Sequence, residues 1–272
     1  MRDMGNNLLF LYPQKLGLFK VYRTFNRISE VTNKYLMSLY NEKYDKYDEK
    51  NQIMSTIDLM ISHNKKCQKT NNLKDIIDEE NIIGNFKTLI FGGFDTSITS
   101  SVSCLMTMAQ KHRNWIEKIQ NDGLDNLRSI ESNQSLGLCI KEILRMANPV
   151  AGGIGRTVMK KCTIAGVELQ KGTLIHFGHA FNSLNTQYVN AGTFNPLRFE
   201  EEVPKLDRYF YHPFGEGKRK CIGYSLADVN MRLLMGYTLN KTCIEVDEDY
   251  QVKFVNKGIY SCANPIVKMK LR

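Results

Sequence analysis

No C-x-x-C pair occurs in the sequence, and its seven cysteines, an odd number, are scattered from Cys67 to Cys262. That pattern argues against a disulfide framework and against a Cys-rich zinc site, and it suits a reducing compartment facing the cytosol. Long apolar runs are missing from the start of the chain. Between Met1 and Tyr12 the only such run is Leu8-Leu9-Phe10-Leu11, far below the roughly 18 residues of a membrane span, and no small-residue cleavage site follows as in a secretory signal. Six prolines and nineteen glycines exclude collagen-like or low-complexity material. No internal repeat and no nucleic-acid-binding motif is visible. What is present is a composition of 42% hydrophobic and 24% charged residues, that of a folded chain. Its 272 residues allow one large domain or two small ones around a sizeable core. Lys and Arg number 37 against 28 Asp and Glu, a formal charge of +9. Such basicity suits nucleic acid, acidic lipid or an acidic protein partner, and charge alone does not choose among them.

Ile28, Val31, Tyr35, Leu36 and Leu39 recur at i, i+3, i+7, i+8 and i+11 and predict a helix over residues 25–62. Residues 63–74 are polar and read as a loop. Asp78 reads as an N-cap, with Glu79 and Glu80 in the first turn where carboxylates suit the helix dipole. The helix they open extends to about Gln110, interrupted by Gly92-Gly93. Further helices are expected over 114–120, over 134–146, stopping before Pro149, and over 222–239. Residues 162–169 read as a hairpin turning at Ala165-Gly166, and 174–176 as a short strand. From 182 to 220 there is little periodicity, and a loop this long in a compact domain is usually functional. Short strands finish the chain. Helix dominates, with a minor sheet.

Chemistry concentrates in Phe214-Gly-Glu-Gly-Lys-Arg-Lys-Cys-Ile-Gly223. Gly215, Gly217 and Gly223 permit backbone conformations and close approach that a Cβ would block, so the loop can lie flat against something planar. Lys218, Arg219, Lys220 and the following helix N-terminus surround Cys221 with positive charge, which favours the thiolate and makes Cys221 a candidate metal ligand. The bland reading of the same residues is a basic surface turn with an incidental cysteine. His176 and His179 lie three apart with no nearby ligand constellation and read as ordinary histidines. Trp115 reads as a packing residue, and the twelve methionines as gap-fillers in a core.

The order F-x-x-G-x-R-x-C-x-G resembles the haem-ligand loop of the cytochrome P450 family, the haem-thiolate monooxygenases. The resemblance implies Cys221 as proximal iron ligand, Arg219 as partner of a haem propionate and Phe214 packed beside the sulfur. It also implies that backbone N–H groups after the cysteine tune its basicity. Three more segments are similar to the family in order. Glu142-Ile-Leu-Arg145 places a carboxylate and a guanidinium at i, i+3 on one helix face. Phe194-Asn-Pro-Leu-Arg-Phe199 supplies Arg198. In the family the Glu and the two arginines form a buried structural network, and Cys221 lies 79 residues beyond Glu142, as that architecture requires. Gly92-Gly93-Phe94-Asp95-Thr96-Ser97 is similar to the oxygen-activation stretch of the long central helix. Two helical glycines each cost about 1 kcal/mol relative to alanine; the resemblance gives them the role of admitting the flat cofactor and dioxygen, and gives Asp95 and Thr96 a proton relay. Without the resemblance, Asp95 and Thr96 read more readily as caps at a helix break. Arg156 matches a second propionate partner, and the small residues 150–155 would line a roomy or loosely packed pocket.

The resemblance therefore implies a mainly α, P450-like fold with a minor β component, N-terminally truncated: a single incomplete domain over 1–272, with 1–77 a helical lead-in and 78–272 the central helix, haem core and C-terminal strands. Neither a membrane anchor, a Pro-rich hinge nor a W-x-x-x-R contact precedes the match, since Trp115 is followed at the needed position by Ile119. The apolar faces of the central helix would then be left partly bare. Two functions stand side by side. One is a monooxygenase that inserts one oxygen atom of O2 into an apolar organic substrate, with electrons from an NADPH-dependent reductase docked at the basic Lys218-Arg219-Lys220 face. The other is a non-catalytic remnant with weak haem binding or none. The family implies the cytosolic face of the endoplasmic reticulum through an N-terminal anchor; this chain without one would be cytoplasmic. A basic helical interaction module would need all four motifs to coincide by chance.

Overall fold

The computed structural model describes residues 20–49, 55–178, 188–201, 203, 210–247, 250–256, 259–263, 265 and 267–272. The apolar run near the N-terminus, His179 and residues 182–187 and 204–209 of the irregular stretch lie outside them. The chain forms two compact units, Met1–Gly92 and Gly93–Arg272.

In the first unit, α1 spans Lys20–Asp45 and α2 Thr56–Lys69. The single helix expected over 25–62 is therefore two. A break comes with Ser55, which caps α2 by accepting the Asp58 N–H. The loop expected over 63–74 is likewise helical as far as Lys69, because its polar letters hide a helical stripe. Met60, Ile61, Asn64 and Cys67 recur at i, i+1, i+4 and i+7, and all are buried. Asn64 belongs to that stripe because its amide is fully used. It donates to the Tyr40 hydroxyl and the Ile77 carbonyl at 3.1 and 3.0 Å and accepts the Ile77 N–H at 2.8 Å. The core is Leu36, Tyr40, Met60, Ile61, Ile82 and Phe86. The periodicity of α1 was thus right for a helix but not for its inner face, since Ile28, Val31 and Tyr35 are exposed.

Asp78 accepts the Asn81 N–H at 2.8 Å and opens α3, Glu79–Lys111. The expected interruption is absent: α3 runs unbroken through Gly92-Gly93. By length and composition it is apolar enough to cross a membrane, and its C-terminal half contributes Cys104, Leu105, Met108 and Ala109 to the core of the second unit. Leu89, Ile90, Phe91 and Phe94 along it are exposed.

The second unit continues with α4 (Arg113–Asn121), α5 (Leu127–Ser132), α6 (Gln134–Met146), α7 (Arg198–Glu201) and α8 (Tyr224–Lys241). The expectation had no α5. Its signal was an Asn126/Ser129 capping box lying in a stretch too short for periodicity. Asn133 then caps α6 through the Leu136 N–H while its amide donates to the Ile119 and Gly123 carbonyls, welding α4 to α6. Arg232 of α8 donates to the Glu131 and Asn133 carbonyls at the same junction, and Gly137 leaves the room its guanidinium occupies. Around them pack Met108, Trp115, Ile119, Leu136, Ile140, Ile143, Met231, Met235 and Leu239, so Trp115 and several methionines are core residues as read.

Among the described residues the strands form four two-stranded antiparallel sheets. β1 (Arg156–Thr157) pairs β4 (Leu174–Ile175), and β2 (Cys162–Ile164) pairs β3 (Val167–Leu169) in register Thr163↔Glu168. Ala165 and Gly166 turn that hairpin at φ 49° and 80°, the left-handed pair a two-residue hairpin needs. At the end of the chain, β5 (Thr242–Val246) pairs β8 (Val267–Leu271), and β6 (Phe254–Asn256) pairs β7 (Tyr260–Cys262).

Replacing Asn64 by alanine leaves three buried partners unmatched and is expected to destabilise α2 by about 2 kcal/mol. Hydrogen exchange should quicken across Thr56–Lys69 and stay unchanged across Gln134–Met146; parent-like exchange across Thr56–Lys69 in Asn64→Ala would show the amide to be dispensable.

Candidate functional site

Helix α6 is buried almost all round, and it carries Glu142 and Arg145 into the interior together. Arg145 grips the Glu142 carboxylate with Nε and Nη2, both at 2.8 Å. From α7, Arg198 Nε reaches Glu142 Oε1 at 3.0 Å, and the Asn195 N–H reaches the same oxygen at 2.9 Å. All three charged side chains are fully buried. Further guanidinium bonds go to backbone: from Arg198 to the carbonyls of Val189 and Thr193, and from Arg145 Nη2 to that of Thr193. The Tyr188 ring lies 5.1 and 5.8 Å from the two guanidinium carbons. The flanking motif residues hold the loop, with Phe194 in the core and Phe199 edge-on to Tyr211 at 4.7 Å. The structure thus brings together all three residues of the expected network. It adds Asn195, from within the Phe194–Phe199 motif, and Tyr188 and Thr193, whose nearness to Arg198 in the chain was the one hint of their part. Burial, with the Glu142 carboxylate next, holds the Tyr211 phenol well above its usual range.

The cysteine loop is shaped by its own backbone. Gly215 and Gly217 adopt φ 72° and 73°, which a side chain would strain. A 3-10 turn over Gly217–Arg219 follows, and the Cys221 N–H donates to the Phe214 carbonyl at 2.9 Å, closing the loop just ahead of α8. Phe214 packs against the core of the second unit. Cys221 is free and exposed, whereas Cys104 and Cys139 are buried so deeply that desolvation drives their thiols far up. Gly223 stands 4.0 Å from the Cys221 sulfur where its Cβ would be. Lys220 lies 4.4 Å over the Tyr224 ring, and Arg219 is exposed.

On α3, a Cβ at Gly92 or Gly93 would meet nothing within 4 Å. Phe94 is exposed, Asp95 and Thr96 are partly buried, and Ser97 is buried. Gly153 and Gly155, by contrast, are required by packing. A Cβ at Gly153, whose φ is 67°, would collide with the Phe177 carbonyl, and one at Gly155 would crowd Leu174 and His176 at 3.1 Å. Gly153 and Gly155 are thus fitted closely against residues 174–177, while a Cβ at Gly152 would meet nothing within 4 Å. Arg156 is exposed and donates to the Ile154 and Gly155 carbonyls. His176 is exposed, and the described residues hold no cluster of metal-ligating side chains.

The cytochrome P450 family model matches residues 3–271. The chain belongs to the cytochrome P450 family. Among relatives, cytochrome P450 3A12 of Canis lupus familiaris is 28% identical over 95% of this chain and 53% of its own length. Cytochrome P450 714B3 of Zea mays is 26% identical over 65% of this chain and 34% of its own length. The chain thus spans from about a third to about a half of these relatives. A crystal structure of a cytochrome P450, CYP102L1, superposes with a TM-score of 0.80 over 97% of this chain and 59% of that one, at 20% identity. That similarity shows the mainly α P450 fold with its minor strands.

Haem is the cofactor this P450 family implies, and the residues present fit it. Open space beside Gly92 and Gly93 leaves those glycines unexplained by polypeptide packing. Cys221 offers a free sulfur on a loop closed by its own N–H bond to the Phe214 carbonyl. Among the described residues neither Arg156 nor Arg219 is paired with a carboxylate of this chain.

Exchanging Glu142 for glutamine leaves two buried guanidiniums short of a counter-charge and is expected to cost about 3–5 kcal/mol, read from urea unfolding. Alkaline titration tests the environment of Tyr211. With its phenol raised in the fold, the neutral form stabilises the protein below the usual phenol value of 10.0. Stability is lost as pH climbs above that, because the unfolded chain ionises first. Tyr211→Phe should flatten that alkaline decline; an unchanged slope would argue against the raised value.

Proposed function

We propose that this chain carries the haem-thiolate centre of a P450 monooxygenase, with Cys221 as the proximal ligand. One observation carries the reading: a free, exposed cysteine just ahead of helix α8, on a loop bent by two left-handed glycines and closed by the Cys221 N–H on the Phe214 carbonyl. Bound haem supplies the activation of O2 by which one oxygen atom is inserted into an apolar organic substrate, the electrons coming from NADPH through a reductase. The protein's own residues divide the remaining tasks. Cys221 binds the iron and Phe214 shields the sulfur from water, while Arg219 and Arg156 hold the propionates by charge-assisted hydrogen bonds. Gly92 and Gly93 let the α3 backbone lie close to the flat face. Thr96 Oγ1 donates a proton on the distal side, and the Asp95 carboxylate, partly open to solvent, restores it. The exposed Lys218, Arg219 and Lys220 form the docking face for an acidic electron-donor domain, at the cytosolic surface of the endoplasmic reticulum.

The second reading, a non-catalytic chain with weak haem binding, draws on the exposure of Ile222 at 89% and Phe94 at 64%, apolar side chains that an enclosed pocket would cover.

Purified chain titrated with haem, reduced and exposed to CO decides between them. A strongly red-shifted Soret band is expected, absent in Cys221→Ser. Thr96→Ala should retain the band yet consume NADPH without matching product. A histidine-type spectrum, or no haem uptake, sinks the enzyme reading, and normal coupling in Thr96→Ala sinks the relay.

A further inference from the structure

Two residues past the end of α6 stands Asn148, 3% exposed and with every strong contact satisfied. Its Oδ1 accepts the Val150 N–H at 2.9 Å, and its Nδ2 donates to the Pro213 carbonyl at 2.9 Å. The two partners fix which way the amide faces, since a donor must meet the carbonyl and an acceptor the N–H. Pro213 is the residue before Phe214, and the Phe214 carbonyl in turn accepts the Cys221 N–H at 2.9 Å. Next to Asn148, the Pro149 carbonyl accepts the Tyr260 N–H at 2.9 Å, so the segment is held from its other side by β7. A short covalent and hydrogen-bonded path therefore runs from the Glu142–Arg145 helix through Asn148 to the cysteine loop. Proline at 213 has no N–H, so this stretch of backbone can be held at that residue only through its carbonyl. A buried side-chain amide is the kind of donor that makes such a bond persist, because breaking it strands two polar groups away from water.

We propose that Asn148 is a positioning residue for Cys221, clamping the entry of the cysteine loop to the end of α6 and so fixing where the sulfur stands. The role of that sulfur as haem ligand rests on the function proposed above, and the test separates the two ideas.

The full chain is made with Asn148→Asp, which keeps size and the acceptor for Val150 but sets an oxygen against the Pro213 carbonyl, and with Asn148→Ala. Ile119→Val, a trimmed core residue away from the loop, serves as the control for general destabilisation. In haem-free protein, iodoacetamide alkylation of Cys221 is measured by peptide mass spectrometry relative to the exposed Cys243 of the same molecule. Both Asn148 variants should change that ratio several-fold, and Ile119→Val should leave it as in the parent. In haem-loaded protein, the Asn148 variants should move part of the ferrous CO band from the thiolate position to shorter wavelength and shift the reduction potential. Parent-like ratios and spectra in both Asn148 variants overturn the proposal, and so does an equal change in Ile119→Val. If the parent itself shows no thiolate band, the haem reading fails, while the alkylation ratio still decides the part played by Asn148.

Discussion

A carboxylate sealed from water must find positive charge and donors for its oxygens, or the fold that buries it does not hold. Glu142 meets that demand with two guanidiniums and a backbone N–H. Meeting it commits four pieces of chain at once: α6, the start of α7, the turn at Thr193 to Asn195, and the backbone at Val189. Buried ion groups of this kind add little net stability against an apolar core of equal volume, but they admit one arrangement and penalise the rest. The chain from Val189 to Arg198 is therefore held without regular hydrogen-bond ladders.

The cysteine loop has a separate footing, the Asn148 amide on the Pro213 carbonyl. The loop has few side-chain contacts of its own; its form comes from two left-handed glycines, a 3-10 turn and a bond from the Cys221 N–H to Phe214. Rigid support therefore reaches it from the ends, through the core packing of Phe214 on one side and α8 on the other. Opposed demands are visible on α3. Its C-terminal half is core, whereas Gly92 and Gly93 face open space and keep an unbroken helix despite their cost. Glycines needed for chain packing have an atom in the way, as Gly153 does with Phe177 and Gly236 with Ile130; those two on α3 do not.

Legibility in the sequence followed the range of the interactions. Asp78 as an N-cap, the Ala165-Gly166 turn, the helix over Gln134–Met146 and the pairing of Glu142 with Arg145 depend on neighbours within a few residues, and each could be read directly. The break ahead of Ser55 and the helical run through Lys69 were missed because a buried asparagine, with its partners in Tyr40 and Ile77, looks polar on paper. The inner face of α1 was misjudged for a related reason: several apolar positions shared the helix, and only the packing of α2 selected Leu36 and Tyr40.

By itself the sequence determined the helix-rich class, the hairpin, the family resemblance and the identity of the cysteine and its charged companions. These follow from spacing, turn chemistry and motif order, which are properties of the chain before it folds. Tertiary structure alone decided which carbonyls complete the two guanidiniums, that α3 passes its double glycine without a break, and that Asn148 joins α6 to the cysteine loop. Those outcomes pair atoms from 5 to 65 residues apart along the chain, such as Arg198 with Thr193 and Asn148 with Pro213. Which of the many possible partners a buried donor takes is settled by the shape into which everything else has packed.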